Sequence, residues 1–263
     1  MRRAERATRH RVASFDPLCT LVLLHRPDHA WPLLVAANRD ELAHRASRPP
    51  ARHWPDRPEV RAGLDLVAGG SWLGVNDWGV IAAVLNRMGT LGPEAGKRSR
   101  GELVLEALDH AEAAAAAAAL ADLDPRAYRP FNLVVADREE AFFLCHAGDG
   151  AIRVARLPPG LTMLTAHGPN DPACARIRRY RPLFATSAPP DPERGDWSDW
   201  QLLLASRASA TGDPRDALCI VTEGPYGTVS SSLIALPARP DRGAVFLHAE
   251  GRPGEVPYLP VPP

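Results

Sequence analysis

One cysteine of this 263-residue chain, Cys19, precedes a short polar cluster that has the groups a nucleophile needs. Asn38, Arg39 and Asp40 bring an amide, a guanidinium and a carboxylate in three consecutive positions. A thiol attacks only as its thiolate, and a nearby cation favours that form. A second polar residue of interest is Asn86, at the end of an apolar run, where an asparagine amide can donate to a developing oxyanion. The plainer reading of the first group is a buried strand cysteine at a hairpin end with polar turn residues beside it, since free cysteine is among the most buried residue types.

Thr20 to Leu24 and Leu33 to Ala37 are short Leu- and Val-rich runs separated by turn-forming residues, the pattern of a β-hairpin. In an antiparallel pair, opposed positions have a constant sum. Centring the turn near Asp28 and His29 therefore predicts that Cys19 lies opposite Asn38 to Asp40. A second hairpin is predicted from Val67 to Val75 and Gly79 to Arg87 around Asn76-Asp77-Trp78. The same sum puts Gly69 and Gly70 opposite Asn86, and glycines in a strand mark close approach by a ligand or another chain segment.

Between the hairpins, Ala43 to Glu59 contains Pro49, Pro50, Pro55 and Pro58 and reads as an extended loop. Its neighbourhood holds His44, Arg45, Arg48, Arg52, His53, Arg57 and Arg61, an anion-binding set or, more ordinarily, a solvated basic surface. Lys97 to Leu120 is predicted helical, with Ser99 able to cap, an apolar stripe of Leu103, Val104, Leu108 and Ala111, and seven alanines from Ala113 to Ala119. Strands follow at Phe131 to Ala136, Ala141 to His146, Ala151 to Leu157 and Leu161 to Ala166. Two shorter helices are expected at Cys174 to Tyr180 and Trp200 to Ala208. The chain closes with strands at Ala217 to Thr222, Ser230 to Leu236 and Ala244 to His248, with Tyr226-Gly227-Thr228 as a turn. Antiparallel sheets with helices packed outside define an α+β class.

Basic and acidic residues number 31 each, so net charge gives no case for nucleic acid or an anionic membrane, and no 18-residue apolar run signals a membrane span. The cysteines Cys19, Cys145, Cys174 and Cys219 lack CxxC spacing, which points to reduced thiols in a cytoplasmic protein and gives no zinc or c-type haem motif. One lysine, Lys97, among abundant Arg, Ala and Pro reads as a GC-rich, bacterial composition. Residues 1–18 carry five arginines in the first eleven positions and no apolar stretch, so they read as a disordered tail or an over-extended start ahead of a domain spanning 19–263.

Taken in order, Cys19-Thr20-Leu21, Asn38-Arg39-Asp40-Glu41, Gly70-Ser71-Trp72-Leu73-Gly74, Asn86-Arg87, Ser99-Arg100-Gly101-Glu102-Leu103 and Tyr226-Gly227-Thr228 with Ser230-Ser231 resemble the NRDE family, also called the transport and Golgi organisation 2 family. The resemblance runs from Cys19 to about the C-terminus. It implies a four-layer αββα sandwich, the N-terminal-nucleophile hydrolase-like fold. The arrangement is also similar to the choloylglycine hydrolase and penicillin V acylase group, in which Cys follows the initiator Met, whereas Leu18 stands there in this chain. The implied chemistry is hydrolysis of an amide or thioester in a small-molecule substrate, without a cofactor. Cys19 would be nucleophile, its freed α-amine the base, Asp40 the residue orienting that amine, and Asn86 an oxyanion donor, with Asn38 and Arg39 completing the motif. Ala37 replaces the arginine that precedes Asn-x-Asp in the hydrolases, and Val229 replaces the arginine that usually follows Tyr-Gly-Thr. The resemblance also carries a non-catalytic alternative, intracellular haem binding or trafficking, for which His25, His146, His167 and His248 are the candidate ligands.

Overall fold

The structure is a computed structural model that describes residues 19–90 and 92–263. The reading of the Arg-rich leader therefore lies outside the described residues. Two antiparallel sheets face each other. The first contains β1 (Thr20–His25), β2 (Leu33–Leu42), β10 (Gly160–Leu164), β11 (Tyr226–Leu236), β12 (Val245–Ala249) and β13 (Leu259–Pro260), ordered β10-β1-β2-β11-β12-β13. The second runs β3-β4-β5-β6-β7-β8-β9, with β3 (Ser47–Ala51), β4 (Val60–Asp65), β5 (Leu73–Asn76), β6 (Ile81–Asn86), β7 (Phe131–Ala136), β8 (Ala141–His146) and β9 (Ile152–Arg156). Helices α1 (Gly101–Leu108) and α2 (Ala113–Ala121) cover the outer face of the second sheet, and α3 (Ala175–Thr186) and α4 (Ser198–Leu204) cover the first.

This layering explains why the strands read as continuous apolar runs rather than alternating ones. Leu21, Leu23, Leu33 and Val35 enter the core between the sheets, while Val22, Leu34 and Ala36 pack beneath Trp200, Tyr180 and Phe184 of the helical layer. Both faces of β1 and β2 are dry, so both faces are apolar.

Several expectations change in the folded chain. The predicted helix from Lys97 to Leu120 breaks after Leu108, because the buried Asn76 side chain donates from Nδ2 to the carbonyls of Leu108 and His110 at 2.9 and 2.7 Å. The Asp137 carboxylate then accepts from Ala113 N at 2.7 Å and starts α2. The proline-rich connector contains an edge strand, β3, whose register slips between Arg48 and Ala51, where Pro49 and Pro50 have no N–H to give. Of the predicted strand from Val67 to Val75, only Leu73 onward pairs, and β4 supplies its other neighbour. Tyr226 to Thr228 is the first part of β11, paired with Leu42, Glu41 and Asp40, rather than a turn. Ala217 to Thr222 is irregular, and β10 leaves the three strands before it, β7 to β9, to pair with β1 in the opposite sheet.

The glycine expectation resolves in favour of a chain segment. A Cβ at Gly70 would lie 2.4 Å from the backbone carbon of Gly101, and Ser71 N donates to Gly101 O at 3.0 Å. Asn86 instead pairs with Phe131 across β6 and β7. Gly70 thus docks the start of α1 against the segment leading to Trp72.

Candidate active site

Thr20 pairs with Asn38, which sets Cys19 at the end of β1 beside Arg39 and Asp40. The Asp40 backbone N–H donates to Cys19 Sγ at 3.4 Å, and Sγ lies 3.5 Å from Asp40 O, which accepts from the thiol. The hairpin register therefore brings Cys19 to the motif that the sequence placed there. Side-chain alternation then divides the motif between two faces. Cys19 and Ala37 lie against the inter-sheet core, as does Trp72, whose ring carries the Arg39 guanidinium at 4.1 Å from its centroid. Asn38 and Asp40 turn toward the helices.

On the helical face Asp40 is wholly buried. Its Oδ2 accepts from Arg176 Nη1 at 3.1 Å, and its Oδ1 accepts from Thr228 Oγ1 at 2.5 Å. Arg176 also donates to Thr20 Oγ1 at 2.7 Å. Burial pushes the Asp40 carboxyl up to about 6, against the opposing pull of Arg176 and Thr228. Asn38 is a fastening: its Nδ2 donates to the carbonyls of Leu204 and Leu218, both at 2.9 Å, tying β2 to the end of α4 and to the segment before β11. Arg39 donates to Ser47 Oγ at 3.0 Å in addition to its stacking on Trp72.

Cys19 and Asn86 border one cleft of about 490 Å³, together with Arg39, Trp72, Val84 and Arg100. Burial pushes the Cys19 thiol up to about 12, and the Asp40 and Glu41 carboxylates add to the rise, while the Asp40 N–H and the Arg39 cation oppose it. In this chemical state the thiol keeps its proton at neutral pH. The carboxylate of Asp40 is already held by Arg176 and Thr228, so catalysis at Cys19 requires a base other than these side chains.

Arg176, Thr228, Trp72 and Arg100 are the site residues that sequence reasoning did not assign. Arg176 had a detectable signal: it shares a helix face with Ile177, Tyr180 and Phe184, all buried, and an arginine there needs an acidic partner. Thr228 was obscured by its reading as a turn residue.

The four candidate haem ligands are scattered. His25 Nε2 lies 3.4 Å from Arg138 O, His146 Nδ1 lies 3.3 Å from Ala151 O, and His167 pairs with Asp171 at 3.4 Å. His248 Nδ1 shares a hydrogen bond of 2.9 Å with Ser232 Oγ and borders a cavity of about 280 Å³, also lined by Arg39, Arg45, Arg48 and Glu250. Burial, reinforced by Arg39, lowers its pKa to about 4, so the ring is neutral. Charged walls and a volume below the roughly 300–1,000 Å³ of ordinary ligand pockets suit a macrocycle poorly. Among the described residues no group of three or more His, Cys, Asp or Glu side chains is placed to hold a metal ion, and no helix is long and apolar enough to cross a membrane.

Two facing antiparallel sheets with paired helices outside, and a cysteine at the first residue before β1, define the N-terminal-nucleophile hydrolase fold. Solved structures of that fold superpose on most of the chain. A Caenorhabditis elegans N-acylethanolamine-hydrolyzing acid amidase orthologue aligns with a TM-score of 0.56 at 13% identity, covering 85% of this chain and 94% of that one. A variant of conjugated bile acid hydrolase from Clostridium perfringens aligns at 0.58 and 13%, covering 92% of each. At such identities the likeness concerns the fold alone. The family model described as Transport and Golgi organisation 2 matches residues 18–240, and the chain belongs to that family. The Transport and Golgi organization protein 2 homologue of Bos taurus is 35% identical over 140 residues, 50% of this chain and 49% of that protein. The Homo sapiens homologue is 34% identical over 128 residues, 46% and 45% respectively. The chain spans about half the length of the curated relatives it matches.

Proposed function

We propose that this protein is a cysteine N-terminal-nucleophile hydrolase acting on an amide or thioester bond of a small molecule. The observation that carries the reading is the placement of Cys19 and Asn86 on one cleft, with the thiol held against the Asp40 backbone. The high thiol pKa defines what the mechanism must supply. Scission of the bond between Leu18 and Cys19 frees an α-amine, whose ordinary pKa of about 7.7–8.0 suits a base near neutral pH. The Asp40 charge, which disfavours a thiolate, favours the ammonium formed when the amine takes the thiol proton, and so orients the amine by its field.

The thiolate then attacks the substrate carbonyl, and the Asn86 amide donates to the oxyanion. Collapse expels the amine or thiol, which receives the proton held by the Cys19 ammonium. A water molecule, deprotonated by the same amine, hydrolyses the acyl–sulfur bond and restores Cys19. Asn38 and Arg39 act by position: Asn38 anchors β2, and Arg39 with Trp72 forms the cleft wall beside the sulfur.

The test is a panel of N-acyl amides and acyl thioesters offered to protein released from a cleavable fusion with Cys19 as its first residue. Turnover that disappears in Cys19→Ala supports the reading; turnover that survives this change, or none across the panel, counts against it. Haem binding, for which the small charged cavity beside His248 is a poor fit, is the competing reading. A haem titration giving a Soret shift that His248→Ala abolishes, with no hydrolysis, favours it.

A further inference from the structure

The cleft facing Cys19 contains a cation held by neutral acceptors. Contact of Gly70 with Gly101 presses the start of α1 against the Trp72 segment, and this sets Arg100, the residue just before α1, in the cleft wall. Most neighbouring cations are neutralised within the protein: Arg45 by Asp65 at 2.6 Å, Arg98 by Glu102 at 2.7 Å, and Arg129 by Glu94 at 3.4 Å. Arg100 is different. Its Nη1 donates to Thr90 Oγ1 at 2.9 Å and Pro130 O at 3.0 Å, two neutral acceptors that fix the guanidinium without cancelling its charge. Among the described residues neither Arg100 nor Arg39 forms an ion pair with a carboxylate. Burial, with Arg129 and Arg45 nearby, lowers the Arg100 pKa to about 10 against the opposing pull of Cys19 and the Glu41 carboxylate, which leaves it charged at neutral pH.

We propose that the cleft selects ligands bearing an anionic group of carboxylate size, and that Arg100 binds this group while the bond to be broken faces Cys19. A fixed, partly desolvated guanidinium held by neutral acceptors, with no carboxylate bonded to it, gains more from an incoming carboxylate than a solvated one does. Arg100 is thus a specificity residue, complementing the basic wall supplied by Arg39. The inference rests on the hydrolase reading for its bond-breaking role, but the charge preference is measurable without turnover.

Iodoacetate and iodoacetamide make the same bond to Cys19: the Sγ–carbon bond forms, iodide leaves with the carbon–iodine electron pair, and the thiol proton passes to solvent. Their rate ratio cancels any change in the thiol's own reactivity and reports the field felt by an anion. Peptide-resolved mass spectrometry of Cys19 in protein released with Cys19 as its first residue, with glutathione as the reference thiol, gives this ratio. The expected result is an iodoacetate preference above that of glutathione, reduced about threefold or more by Arg100→Gln, retained by Arg100→Lys, and weakened by salt, as for one charge acting through a partly aqueous cleft. A ratio equal to glutathione's, a preference that Arg100→Gln leaves unchanged, or a Cys19 inert to both reagents overturns the inference. Neutral labelling without charge preference sinks this inference alone, whereas charge preference without any Cys19-dependent hydrolysis sinks the proposed activity alone.

Discussion

Asp40 and Arg176 meet at 3.1 Å with both side chains fully buried, while the backbone N–H of the same Asp40 donates to the Cys19 sulfur at 3.4 Å. The same residue therefore serves two layers: its backbone positions Cys19 on the cleft side, and its carboxylate bonds α3 to β2 on the helical side. Asp40→Asn removes the buried carboxylate that Arg176 meets at 3.1 Å. We expect a loss of about 3–5 kcal/mol in denaturant unfolding, with the double change Asp40→Asn, Arg176→Met recovering much of it. Equal stability of Asp40→Asn and the unaltered chain would show that the pair contributes nothing net.

This pair also marks how far the sequence could be read. The turn between β1 and β2 fixes a register, so the meeting of Cys19 with residues 38–40 followed from counting positions. The Asp40–Arg176 bond spans 136 residues, and no local pattern specifies it. The alanine run likewise showed that Ala113 to Ala119 would be helical but not that Asn76 and Asp137, from distant strands, would split one helix into two. Tyr226-Gly227-Thr228 has turn-like composition, yet β2 extends far enough to pair with it, with a register shift between Thr228 and Ser230 joining it to the rest of β11. Basic residues of the 43–61 region read as a possible anion site, but Arg45, Arg52 and Arg57 have acidic partners in Asp65, Asp77 and Asp109.

His248 gives the fold a pH dependence of defined sign. Its folded pKa, about 4, lies below the ordinary value of 6.5, so between these limits the unfolded chain binds more protons than the folded one. The neutral ring's contribution is complete above about pH 6.5 and is lost as pH falls toward 4, amounting to at most roughly 3 kcal/mol. Unfolding curves from pH 7 to 4 for the unaltered chain and His248→Gln should converge by about this amount as the pH falls. Parallel curves would contradict the assignment.

Gly70→Ala tests the docking of α1. The added methyl group would meet the Gly101 backbone at 2.4 Å, so the helix start must move. A loss of about 1–3 kcal/mol is expected, accompanied by a weaker iodoacetate preference at Cys19 as Arg100 shifts. Unchanged stability would mean that the segments separate freely.

Asn86→Ala should lower kcat about 10²–10³-fold on a substrate found by the Cys19-dependent screen, with little change in KM, because the amide is asked to bind charge that develops only in the transition state. An unchanged kcat removes Asn86 from the oxyanion site.

The account depends most on a free α-amine at Cys19, since burial and nearby carboxylates push its thiol up to about 12. The direct measurement is intact mass and N-terminal sequencing of protein made from the native gene with its own upstream region. The account predicts a mature chain that begins at Cys19. A mature chain that keeps residues 1–18 would contradict the N-terminal-nucleophile mechanism and leave ligand binding as the role of the cleft.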